Sequence, residues 1–405
     1  MDIQGHVGQP VTFGKAPLGP LLMLGNVPFS TMWQRPHHFA AGLAEHTTVT
    51  YVDPNRSVLQ GFRQRPVTDT PVPHGLTVVR PPAGLPGGRS SGLINQLNYA
   101  GCLRRLRTTE AHIGPPSAIV ATFPDQLDLI KHYPNVPVVY DLMDDPELFL
   151  RYHQRARYTR LHAEMLDRAA TVVVSARVLL ERCKSTARRV VWISNGVSGE
   201  LADSSRTAFP DPVVVNLPRP VFGFVGLISH WMDFETIRAI AESHPHGTVV
   251  LVGPSEVRLP GLPKNVVFTG PVFGRRVGAV LAGFDVGLIP FVRNTGIDAV
   301  NPLKLYEYLA AGLPVLAAGF EEIRQFRPLV ITYDSPAEAA RIATELIAKP
   351  PTAQQTADRR AFADGHRWEK KVAEMLAVIC QATGQVVEEP IQHLHIESRS
   401  FRNAS

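Results

Sequence analysis

Apolar positions along the chain fall into short β-branched runs separated by stretches with helical spacing. In the first half the runs are 20–25, 48–53, 76–80, 118–122, 136–141, 171–175 and 190–194. Helical periodicity fills 35–45, 93–112, 126–132, 155–169 and 177–183. The alternation predicts βαβ units and a mostly parallel sheet. The pattern then restarts, with strands at 220–225, 247–252, 265–269, 286–290, 314–317 and 329–333 and helices at 234–243, 275–283, 303–311 and 337–349. Residues 199–220, rich in Pro, Ser and Asp, read as a linker. Near the end, Trp368, Val372, Met375, Leu376 and Ile379 recur at helical spacing across 367–382. The expectation is an α/β chain of two doubly wound, Rossmann-like domains, 20–208 and 209–365, followed by one amphipathic helix at 366–383. Residues 1–19 and 384–405 lack periodicity and read as disordered tails. Ligands of such sheets bind at the carboxyl ends of the strands, so a cleft between the domains is the expected site.

Composition narrows the picture. The chain has 405 residues, 44% apolar and 19% charged, the balance of a globular protein too long for one ordinary core. No run of 18 apolar residues exists, so no membrane-spanning helix is expected. The first apolar stretch, 18–24, is cut by Gly19 and Pro20 and does not read as a signal peptide. Cys102, Cys183 and Cys380 are odd in number and far apart, which suits reduced thiols in a cytoplasmic protein. Residues 1–200 carry 21 Lys+Arg against 15 Asp+Glu, net +6, and residues 201–405 carry 20 against 21, net −1. A basic first half fits an anionic membrane surface at the inner face of the cell membrane, or is ordinary solvation. Arg104, Arg105 and Arg107 on one helix, with Arg151, Arg155, Arg157 and Arg160 nearby, are the candidate membrane face. No nucleic-acid partner is expected.

The strongest chemical constellation is the run from Asn301 to Val315. Asn301 reads as an N-cap and Pro302 as a first helical residue. The free N–H groups that follow Pro302, at Leu303 and Lys304, and the positive helix end then suit a diphosphate. Lys304 adds a charge, and Glu307, one turn on, can accept hydrogen bonds from two vicinal ribose hydroxyls. The alternative is a plain Lys–Glu surface pair. Gly226 ends an apolar strand and allows close backbone approach to a phosphate, with Leu227 following it. Phe273 lies in a turn whose backbone can read a base. In the first half, Asp141, Asp144 and Asp145 end a strand. Asp144 is the first candidate for a general base and Asp145 the second, while either can instead cap the helix starting near Pro146. Asn26 and Arg35 sit after the first strand, on the acceptor or phosphate side with Asp141. His37 and His38 read as packed or surface histidines. There is no Asp-x-Asp, HExxH or CxxC motif, so neither a metal nor a cofactor is expected.

These residues carry a resemblance. FVGLISHWMDFETI, VVLVGP, LPKNVVFTGPV, FDVGLIPF and NPLKLYEYLAAGLPVLA occur in the order found in the donor domain of GT-B glycosyltransferases of the group 1 type. MWQRPHHFAAGLAE and VVYDLMDDPELF resemble the branch that includes teichuronic acid glycosyltransferases of bacterial surface polysaccharides. HRWEKKVAEML resembles the family's C-terminal helix, which crosses back to the first domain. The resemblance spans residues 20–382. It implies a hexosyltransferase-type enzyme moving a sugar from a nucleoside-diphosphate sugar, UDP favoured, to a glycan or lipid-linked acceptor. It also implies that Glu307 holds the ribose, that Lys304 and the helix start hold the diphosphate, and that Gly226 faces the phosphates. The pattern departs at three places. Ala299 stands where two-glutamate members carry the first glutamate, leaving Asp298 beside it as the candidate sugar contact. Leu227 and Met232 replace an Arg and a Lys. A nucleotide-sugar epimerase on this scaffold and a non-catalytic nucleotide-sugar-binding partner are the rival readings.

Overall fold

The computed structural model describes residues 18–55, 72–146, 154–385 and 396–398, and the statements below concern these. Two parallel sheets form where the β-branched runs were read. The first contains β1 (Leu21–Leu24), β2 (Val49–Val52), β3 (Leu76–Val79), β4 (Ala118–Ala121), β5 (Val138–Leu142), β6 (Thr171–Val174) and β7 (Arg189–Trp192). Their order is β3-β2-β1-β4-β5-β6-β7. The second contains β8 (Val221–Val225), β9 (Thr248–Val252), β10 (Val266–Gly270), β11 (Val286–Ile289), β12 (Val315–Ala318) and β13 (Val330–Tyr333), ordered β10-β9-β8-β11-β12-β13. LLML, VTYV, AIVA and TVVV are buried at every position, as expected of strands covered by helices on both faces. Each order reverses beside its first strand, at β1/β4 and at β8/β11, and those reversals place the ligand crevice.

Two apolar clusters line the faces of the first sheet and one fills the second. The last helix, Trp368–Ala382, belongs to the first. Trp368, Val372, Met375, Leu376 and Ile379 pack into the cluster that holds Phe39, Leu43 and Tyr51. The helix lies against Arg35–Ala44 closely enough that a Cβ on Gly42 would fall 2.4 Å from Val372. The chain therefore crosses back, as the resemblance implied.

Three readings change. Residues 199–207, expected within the linker, form the helix Gly199–Thr207, because the Ser198 side chain accepts a hydrogen bond from the Leu201 N–H. Its Ala202, with Val197 and Val214, packs into the second core, so that core begins upstream of residue 208. A helix not foreseen, Ala353–Gly365, is started by a Thr352–Gln355 capping box. Within the segment read as a disordered tail, Ile396–Ser398 pairs antiparallel with Arg189–Trp192 at the edge of the first sheet. The readings for residues 1–17, for the remainder of 386–405 and for Arg151 lie outside the described residues.

Candidate active site

Both reversal points open onto one cleft of about 1450 Å³ between the domains. On the second-domain wall, the helix Leu303–Ala311 starts after Pro302, whose backbone is extended and which has no side chain to cap the helix. The first-turn N–H groups of such an end have no partner within the helix and favour an anion. Asn301, expected as the cap, points elsewhere and is described below. Lys304 Nζ donates to Glu307 Oε2 at 2.8 Å, and both residues line the cleft. Gly226 has φ 153°, and a Cβ there would stand 3.0 Å from Lys304 Cε. Only a glycine lets the lysine stem lie against the end of β8 at that spacing. Leu227, Phe273, Pro302 and Leu303 line the same wall. So do His230, Glu256 and Arg275, which sequence reading did not single out. Arg275 is paired with Glu200. His230 lies four residues after Gly226, and a polar side chain in that short loop was the signal available.

On the first-domain wall the structure separates the three aspartates at the end of β5. Asp141 does not line the cleft. It is fully buried and takes both Arg35 Nε, at 2.9 Å, and Arg35 Nη2, at 2.8 Å. Arg35 Nη1 donates to the Ile193 carbonyl at 2.8 Å and to Asn195 Oδ1 at 3.2 Å. Arg35 therefore borders the cleft, but its guanidinium is committed to the core rather than free for a phosphate. Asp145 lies outside the cleft lining and pairs with Arg182 at 2.7 Å. Asp298 also lies outside the cleft lining. Its Oδ1 accepts the Glu321 N–H at 3.0 Å at the start of helix Glu321–Arg324. Asp144 alone of the three β5 acids lines the cleft, beside Asn26. Burial pushes its carboxyl up to about 7, against the opposing pull of Arg35, with Asp145 and Asp141 adding repulsion. The helix that Asp144 was read as capping falls outside the described residues.

A further carboxylate, Asp125, lines the first-domain side of the cleft and accepts the Tyr158 hydroxyl at 2.8 Å. Burial raises its pKa, while Arg89 and the Tyr158 hydrogen bond lower it. His38 stacks on Trp368 at 4.6 Å, and burial holds its pKa down at about 3, with His37 and Lys304 adding to the effect. A buried polar chain runs beneath the cleft and joins the domains. The Asn195 side-chain amide donates to the Asn301 carbonyl at 2.6 Å, and Asn301 Nδ2 donates to Glu322 Oε1 at 3.0 Å. Glu322 Oε2 in turn accepts the Arg177 N–H of the first domain at 2.9 Å. Asn301 thus fixes the start of the Lys304 helix from outside it.

Solved structures align with nearly the whole chain. Sucrose-phosphate synthase from Thermosynechococcus elongatus matches with a TM-score of 0.70 and 14% identity, over 90% of this chain and 99% of that one. WaaG, a glycosyltransferase involved in lipopolysaccharide biosynthesis, matches with a TM-score of 0.64 and 14% identity, over 89% and 99%. The chain has the GT-B fold. Residues 235–377, the bulk of the second GT-B domain and the crossing helix, match the family described as glycosyl transferase-like. A stretch of 184 residues is 31% identical to TuaH of Bacillus subtilis, whose name assigns it to teichuronic acid biosynthesis as a glycosyltransferase. That match covers 42% of this chain and 45% of TuaH, under half the length of the relative. Among GT-B structures with bound ligand, Anabaena HepE in complex with UDP-glucose aligns with a TM-score of 0.59 and 17% identity, over 89% and 99%.

Proposed function

We propose that the protein is a glycosyltransferase of the hexosyl type that uses a nucleoside-diphosphate sugar, UDP favoured, to extend a glycan or lipid-linked acceptor of a surface polysaccharide. The observation that carries this reading is the Lys304–Glu307 pair at an uncapped helix start, in the same cleft as Asp144. Ligand entry separates the pair. Lys304 turns to the diphosphate and Glu307 to the ribose hydroxyls. Asp144, with a pKa near 7, is matched to base catalysis at neutral pH. It takes the proton of the acceptor hydroxyl as that oxygen bonds to the anomeric carbon from the face opposite the leaving group. The bond from that carbon to the diphosphate oxygen breaks, and its electron pair leaves with the diphosphate. Configuration inverts through an oxocarbenium-like transition state. A UDP donor is favoured because the fold neighbour HepE is described with UDP-glucose bound.

The acceptor end supports an amphiphilic partner. Leu85, Leu93 and Leu97 are 53%, 68% and 55% exposed. Leu93 and Leu97 share one face of helix Gly92–Ile113, and Asn98 ties Leu85 to that helix through bonds of 2.8 and 3.1 Å. Leu85 and Arg89 line the cleft, and Arg104, Arg105 and Arg107 continue along the helix. An apolar rim beside arginines suits an anionic lipid surface, so the enzyme is read as peripheral on the inner face of a cell membrane. No helix among the described residues is long and apolar enough to cross a membrane. A thermal-shift panel of UDP, GDP, ADP and their sugars tests the donor, since a true donor raises the melting temperature by mass action. No shift with any of them sinks the reading. Liposome sedimentation tests the surface. Binding is expected with anionic lipid at low salt and lost near ~0.5 M salt, and equal binding to neutral vesicles removes it.

A further inference from the structure

The charge in the donor site does not balance. A nucleoside diphosphate brings at least two negative charges, and they grow on the leaving oxygen as the sugar departs. Among the described residues, the second-domain wall offers Lys304, already facing Glu307, and Arg275, already paired with Glu200. Arg35 is held by Asp141. The loop from Gly226 to Asp233 contains no Lys or Arg.

That loop does carry His230, and its surroundings fix where the ring goes. The loop starts at Gly226 against the Lys304 stem. Ile228 and Met232 are buried in the core, and the Met232 N–H closes a tight turn on the Ser229 carbonyl at 3.1 Å. The Ile228 N–H bonds the Pro254 carbonyl at 2.9 Å, and the Val292 N–H bonds the Trp231 carbonyl at 2.7 Å, so the loop is strapped on both sides. Its one polar side chain left exposed in the cleft is His230. The buried Ser229 hydroxyl stands 3.2 Å from His230 Nδ1 and donates to Glu256 Oε2 at 3.1 Å. With its proton given to Glu256, the hydroxyl accepts Nδ1–H. Nε2 is then the nitrogen left to a ligand of the cleft, and the Ser229–Glu256 relay holds the ring.

We propose that His230 is the second cation of the donor site, an imidazolium backed by Ser229 and Glu256 whose Nε2–H bonds the diphosphate and steadies it as it leaves. The inference rests on the donor reading above and adds a residue to it. The test measures UDP and uridine affinity for the full-length protein by calorimetry, in wild type, His230→Ala, His230→Lys and Glu256→Gln. His230→Ala is expected to weaken UDP binding about tenfold or more, the size of a charge-assisted hydrogen bond. Uridine, which has no phosphate, should bind as before. His230→Lys should restore most of the UDP affinity, and Glu256→Gln should weaken UDP by a smaller factor. Equal loss for UDP and uridine, or no rescue by lysine, makes His230 a structural loop residue and overturns the proposal. UDP affinity unchanged in His230→Ala also overturns it while leaving the donor reading intact. Absence of UDP binding in wild type overturns both.

Discussion

The two walls of the cleft are built on different terms. The second-domain wall is local: Pro302, Lys304 and Glu307 lie within six residues, and the chemistry comes from a helix start and two side chains one turn apart. The first-domain wall is assembled from distant strands, and most of its charge is spent on structure. Arg35 reaches 106 residues along the chain to Asp141. Asp145 goes to Arg182, and Asp125 to Tyr158. Asp144 is what remains available. The contrast teaches that a site can recognise one substrate through a short motif while its reactive group on the opposite side is defined by what its neighbours are not doing.

The largest expected effect tests that residual role. Asp144→Asn should lower the transfer rate by about 10²–10⁴, the usual worth of a positioned base, with UDP affinity little changed. In wild type the base works ionised, so the rate should rise with pH up to about 7 and level off above it. The variant should lack that limb. Its stability offers an independent reading of the sign. A carboxyl whose folded pKa is raised favours the fold when protonated, so the Asp144 contribution is lost as pH rises from about 4 to 7, and Asp144→Asn, which keeps the similarly raised Glu322, should lose less stability than wild type across that window. A variant that instead melts early, with its activity per folded molecule intact, reduces Asp144 to a helix cap.

The next effect falls on the local wall. Glu307→Ala should weaken UDP-sugar binding by roughly tenfold to a hundredfold, for the loss of charge-assisted bonds to the ribose. The fold should survive, because Glu307 is partly exposed and its partner Lys304 is left facing solvent. Wild-type affinity in this variant breaks the assignment of the helix. The smallest effect sharpens the comparison. Asp145→Asn and Asp298→Asn should leave turnover within about twofold, since an exposed ion pair or a short helix start is worth about 1 kcal/mol or less. A large loss of rate in either would show that the committed acids also reach the substrate.

The same difference governs what the sequence makes legible. The strands read well because parallel strands buried on both faces need unbroken β-branched runs. Lys304, Glu307 and Gly226 were visible for a local reason, since helix caps and strand-end glycines are decided by neighbours in sequence. The helix Gly199–Thr207 was obscured by Ser, Asp and Pro around it, residues that mark loops and caps alike. Ala353–Gly365 carries a polar exterior and buries little beyond Arg359 and Ala363, so its periodicity is faint. Which of Asp141, Asp144 and Asp145 faces the cleft was not legible. That depends on Arg35 and Arg182, which arrive from other parts of the chain. Asn301 misled for the same reason: its residue type suits a cap, but Asn195 and Glu322 claim it from afar.

The crossing helix has a consequence for synthesis. A ribosome delivers the seven parallel strands of the first domain long before Trp368–Ala382. Until then the surface around Phe39, Leu43 and Gly42 has no lid, and the nascent domain displays an oily groove with a notch cut for Val372. The first domain to emerge is thus the last to be sealed, by a segment made after the second domain. Expressed without that segment, the first half should be sticky and call for a chaperone, and adding the helix back as a separate peptide should make it soluble.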